Sequence, residues 1–92
     1  GMILSNEPGY YEENEFGVRQ ENLVHVVAES DEFLRFENLT LIPFDKKLID
    51  ISVLTKVQIS ALNNYHKEVL EKISPYLKVE LKEWFLNKCK PL

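Results

Sequence analysis

Cysteine, histidine, arginine and glycine are all scarce in this chain of 92 residues, which holds one, two, two and three of them. The single cysteine, Cys89, excludes an internal disulfide and makes a reducing compartment the simplest setting. Two histidines and one cysteine give no zinc-binding spacing, and the three glycines form no phosphate-cradling loop. No apolar run approaches the ~20 residues that cross a bilayer. The basic start of a signal peptide is also missing. Eleven basic residues against fifteen acidic ones leave a net charge of −4 and a pI near 5.1. That balance argues against a nucleic-acid surface.

What is present fits one small globular domain, 45% hydrophobic and 28% charged. A disordered tail, a collagen-like repeat and a disulfide-stapled mini-protein are thereby excluded. The length is near the lower limit for burying a sizeable core. Charge is unevenly spread. Residues 1–45 carry ten acidic side chains against Arg19 and Arg35, whereas residues 46–92 carry nine lysines against five acids. An acidic half suits a bound cation, and a solvated loop around Glu12, Glu13 and Glu15 accounts for part of the excess.

Hydrophobic periodicity divides the chain in two. Met2–Ser5, Phe16–Ala28 and Phe33–Phe44 read as strands, rich in β-branched and aromatic residues and separated by short polar links. The apolar parity changes between Phe36 and Leu39, which predicts a bulge. From residue 53 the period becomes helical, with Leu54, Val57, Ala61, Leu62, Tyr65, Val69, Ile73 and Leu77 on one stripe. Thr55 and Gln58 match a capping box. Ser74-Pro75 predicts the start of a second helix running to about Lys88, burying Leu81, Trp84 and Phe85. The expected fold is α+β: a three-stranded antiparallel meander followed by two helices.

The first hairpin is the chemically informative stretch. Glu7 stands directly before the Pro8-Gly9 turn pair, and Glu21 lies inside the following strand. Residues opposite one another in an antiparallel pair point to the same face, so the two carboxylates converge if the register brings them opposite. Two such carboxylates repel unless one is protonated or a cation lies between them. Hard divalent cations favour oxygen donors of this kind. Surface glutamates on strands are common, and the pair taken alone is weak evidence.

Four separated runs, SNEPGYY, FGVRQEN, LTLIPFDKKLID and LNNYH, resemble the C-terminal end of Xaa-Pro aminopeptidases (aminopeptidase P), pita-bread metallopeptidases related to methionine aminopeptidase. The resemblance extends from Gly1 to Leu92. It implies that residues 1–44 are the C-terminal strands of a pita-bread catalytic domain and residues 45–92 a helical extension. It further implies that Glu7 ligates one metal, contacts a bridging water and serves as general base or proton shuttle. By the same resemblance Glu21 bridges two divalent ions, usually manganese, and Arg19 orients Glu21 or a neighbouring acid. Tyr10 and Tyr11 then line the substrate cleft, or simply pack the turn. Gln20 departs from the family pattern, which has an aliphatic residue there. The implied substrates are peptides with proline at the second position, and the implied setting is cytoplasmic. Metals lower the pKa of bound water from 15.7 to as little as ~7.

The resemblance also exposes what this chain lacks. Two aspartates and a histidine that complete the family's metal set, and the histidines that hold substrate, lie upstream in such enzymes. His25, among valines, reads as a packed or surface strand residue. His66 reads as a helix residue that caps or packs, and Cys89 as a free thiol. The isolated chain should therefore be inactive and hold no metal tightly. Two readings follow: the C-terminal piece of a dinuclear Xaa-Pro aminopeptidase, or a free-standing, non-catalytic association module. An Asp-x-Gly metal motif upstream in frame distinguishes them. Either reading leaves an uncovered strand edge and an apolar sheet face, from which a homodimer is expected.

Overall fold

The structure, a computed structural model, describes residues 1–92 and divides into two units, Gly1–Thr40 and Leu41–Leu92. The first holds five strands: β1 (Ile3–Asn6), β2 (Gly9–Glu12), β3 (Phe16–Arg19), β4 (Asn22–Ala28) and β5 (Leu34–Asn38). β1, β4 and β5 form a three-stranded antiparallel sheet in that order, and β2 and β3 form a separate hairpin inserted between β1 and β4. The α+β class holds. The expected single strand Phe16–Ala28 is instead two, broken at Gln20-Glu21.

Pro8 accounts for that break. It has no N–H to give to a ladder, although its carbonyl still accepts the Gln20 N–H at 3.1 Å. The register does not slip across it: Asn6 pairs with Asn22 on one side, and Gly9 pairs with Arg19 on the other. One long ribbon is thus interrupted rather than ended. Its tip closes through Asn14, whose φ of 59° falls in the left-handed region that asparagine tolerates.

β5 also stops earlier than expected, at Asn38 rather than Phe44, and no bulge forms within it. Leu39 and Thr40 both turn their amides to the Leu23 carbonyl, and the Thr40 hydroxyl accepts the Leu23 N–H at 2.9 Å. A side chain has taken over the ladder's partner, so the parity change marks a strand end. In the three-stranded sheet, Leu4, Val24, Val26, Leu34 and Phe36 share one face. Val24 is 6% exposed, but Leu34 and Phe36 remain 71% and 64% exposed.

In the second unit, Asp45 and Asp50 cap short 3-10 turns at Lys46–Leu48 and Ile51–Val53. Helix α1 (Lys56–Ile73) opens with the expected capping box, Gln58 N–H to Thr55 Oγ1 at 3.2 Å and Thr55 N–H to Gln58 Oε1 at 2.9 Å. The Ser74-Pro75 expectation fails in detail. Ser74–Tyr76 forms a 3-10 turn, Lys78 is extended, and α2 (Val79–Lys88) starts after it. Tyr65 and Val69 of α1 meet Phe85 and Cys89 at the core, with Leu41, Phe44, Leu70, Ile73 and Leu77 packed around them. Leu81 and Trp84 are not buried as expected; Trp84 is 57% exposed, with the Lys88 ammonium 5.8 Å from its ring centre. Lys46 donates to the carbonyls of Asn87 and Lys90, which lie where α2 runs out of amide donors.

Candidate metal centre

Glu7 follows the last residue of β1, and Glu21 precedes the first residue of β4. Asn6↔Asn22 is the final pair of that ladder, so one further step of the same register sets Glu7 opposite Glu21. Both side chains are exposed. Opposed residues in an antiparallel pair share a face, with Cβ atoms roughly 4.5–5.5 Å apart. Two carboxylates that close are mutually unfavourable when ionised, and a divalent cation between them removes the conflict.

The same register identifies what else occupies that face. Gly9↔Arg19 and Tyr11↔Gly17 are the next pairs of equal parity. Arg19 stands two residues before Glu21, on its side of the ribbon and opposite a residue with no side chain. Tyr11 folds back over the two glycines. A Cβ on Gly9 would lie 2.6 Å from the Tyr11 hydroxyl, and one on Gly17 would lie 2.8 Å from its ring. The phenol is thereby directed along the ribbon toward the Glu7 end. A Cβ at either position would force the Tyr11 ring to shift.

Tyr10 goes elsewhere. It pairs with Val18 on the opposite face, its ring 6.1 Å from that of Phe16. Its hydroxyl donates to the Glu12 carboxylate, which holds the phenol pKa above its ordinary value of 10.0, with a smaller contribution from desolvation. Gln20, like Pro8, belongs to this opposite face. The register therefore brings Glu7, Glu21, Arg19 and Tyr11 together and separates Tyr10 from them.

No group of three or more histidine, cysteine, aspartate or glutamate side chains is assembled in the chain. His25 lies on β4 four residues beyond Glu21, which at ~3.3 Å per residue is about 13 Å away. It pairs across Ile3 and Glu37 and is half-buried. His66 is fully buried in the helical unit and accepts the Phe44 N–H at 3.1 Å. Cys89 is buried, and burial raises its thiol pKa against the opposing effect of Lys46. Two carboxylates suit a hard divalent ion in chemistry but supply only part of its six or more oxygens.

The residues 32–92 match the family model described as the C-terminal region of peptidase M24. This chain belongs to that family and carries its C-terminal region. Across its whole length it is 46% identical to aminopeptidase P2 of Arabidopsis thaliana and 42% identical to Xaa-Pro aminopeptidase 1 of Dictyostelium discoideum. It spans 14% and 16% of those proteins. Among solved structures it matches the X-prolyl aminopeptidase of Caenorhabditis elegans, described as a cytosolic enzyme with a di-nuclear active site. That match has a TM-score of 0.86 and 34% identity, and it covers 98% of this chain and 16% of that enzyme.

Proposed function

We propose that this chain is the C-terminal part of a dinuclear Xaa-Pro aminopeptidase, to which it contributes Glu7 and Glu21 as metal ligands. The observation that carries the proposal is the unbroken register across Pro8, which sets the two carboxylates opposite one another. The likeness to a di-nuclear, cytosolic enzyme supports a pair of ions and a cytoplasmic setting. The all-oxygen donor chemistry is compatible with manganese. The remaining ligands come from sequence outside these 92 residues.

In this reading two divalent ions, when bound, would lower the pKa of water and so make hydroxide available at neutral pH. Glu21 and Glu7 would hold the ions, and Glu7 would accept the proton that the attacking water gives up. Arg19 neutralises and orients Glu21 from the same face. Tyr11 forms one wall of the cleft with its hydroxyl toward Glu7. Tyr10 has no part in it. The substrate is a peptide with proline second, and the products are its freed first residue and the peptide that then begins with proline.

In the natural chain that carries upstream sequence, Glu21→Ala should abolish cleavage of an Xaa-Pro peptide while the circular dichroism spectrum is unchanged. Glu7→Gln should do the same, since the amide accepts no proton. Near-normal turnover by either variant contradicts the assignment.

A further inference from the structure

His66 lies on α1 with no exposed surface. The rings of Phe44 and Tyr65 flank it at centroid separations of 6.2 and 5.9 Å. Its Nε2 accepts the Phe44 backbone N–H at 3.1 Å, while its Nδ1 meets no acceptor of the protein. Accepting at Nε2 requires the neutral tautomer with hydrogen on Nδ1. Its neighbour Tyr65 holds the same stretch of chain. The Tyr65 hydroxyl donates to the Ile42 carbonyl at 2.8 Å and accepts the Ile42 N–H at 3.4 Å. Two successive residues of α1 thus fasten segment 41–44, which belongs to no strand or helix. Pro43, between the fastened residues, has no amide to offer.

We infer that His66 is a proton-sensitive latch for segment 41–44: neutral, it holds the Phe44 amide, and protonated at Nε2 it releases it. The added proton occupies the lone pair that the amide uses. It leaves a donor facing a donor, and a buried cation whose Nδ1–H has no acceptor. The groups around it favour release once the proton arrives. Lys46, on the first 3-10 turn, is fixed by the carbonyls of Asn87 and Lys90, and its ammonium acts on both His66 and Cys89. The Tyr65 phenol is committed to Ile42, and the buried Cys89 thiol at the end of α2 stays neutral. Burial first, and Lys46 second, push the imidazole below its ordinary 6.5. A released imidazole therefore binds protons more readily than a latched one. The latch is fully favoured above pH 6.5 and loses ground as the pH falls below it.

Two measurements on the natural, full-length chain test this. The pH profile of C2-hydrogen exchange at His66, read by mass spectrometry, should give a midpoint below 6.5. Over the same range the amides of Leu41, Ile42 and Phe44 should lose protection against deuterium exchange, after correction for the intrinsic rate. In His66→Gln, whose amide oxygen can accept the Phe44 N–H but does not titrate, protection should persist across the range. A His66 midpoint at or above 6.5 overturns the inference. So does protection that is unchanged with pH in the unaltered protein, or opening of the glutamine variant at the same pH.

Discussion

At the scale of single residues, the decisive features are a proline and two glycines placed around a pair of acids. Pro8 removes one donor from the ladder and leaves Glu7 and Glu21 outside regular pairing, yet held opposite by the register on both sides. Gly9 and Gly17 make room for the Tyr11 ring. A methyl group at Gly9 must displace that ring, which is the mobile end of a side chain rather than backbone. Gly9→Ala should therefore alter the tyrosine near-ultraviolet signal and cost about 1 kcal/mol of stability, within the range for overpacking. In a Tyr11→Ala background the same change should be close to neutral; an equal cost in both backgrounds would show that the ring is not what Gly9 accommodates. Asp50 supplies a second test at this scale. Hydrogen bonds from the Ser52 hydroxyl and then the Ser52 amide hold its carboxyl below the ordinary 3.8. The folded state thus releases the proton more readily than the unfolded one. This contribution to stability is present above pH 3.8 and is lost as the pH falls through the folded pKa. Asp50→Asn should flatten that part of the stability profile, and an unchanged slope would remove Asp50 from it.

At the scale of elements, local rules were legible where one element decided its own geometry. Thr55 and Gln58 sit three apart before an apolar stripe, and both bonds of the capping box form. Thr55→Ala should lower the stability of the helical unit by about 1 kcal/mol in chemical denaturation; an unaltered midpoint would mean that the box is not what begins α1. Elsewhere the geometry is set by partners that the apolar pattern does not show, from another strand in two cases and from a local turn in one. Thr40 replaces a ladder partner with its hydroxyl, which ends β5 six residues early, and no pattern of apolar residues signals that. Ser74-Pro75 carries a sound helix-start signature, but Leu77 N–H returns to the Ser74 carbonyl and closes a 3-10 turn first. The hairpin β2–β3 is concealed because residues 10–15 read as a polar link, and the break within Phe16–Ala28 is set by a proline on the opposite strand. For the candidate site, the two acids were visible in sequence. The separation of Tyr10 from Tyr11 was not, since adjacent residues on a strand diverge only once the register is known.

At the scale of the molecule, the β5 part of the apolar sheet face is left open, with Leu34 and Phe36 71% and 64% exposed. The chain spans only 14–16% of the two curated relatives named above. An open apolar face of this kind recruits another surface. In isolation the 92 residues should associate, with a two-fold dimer as the simplest closed product. Light scattering that gives a single 10.8 kDa species at high concentration would refute this. Neither this face nor the β1 edge bears on chemistry; the account of function stands on Glu7 and Glu21 alone. Its most direct test is equilibrium dialysis against manganese, performed on the natural chain with its upstream sequence and on the Glu21→Gln variant. The account predicts two ions per unaltered chain and at most one in the variant, because a neutral amide cannot bridge a cation pair. Two ions retained by the Glu21→Gln variant with unchanged affinity would contradict it.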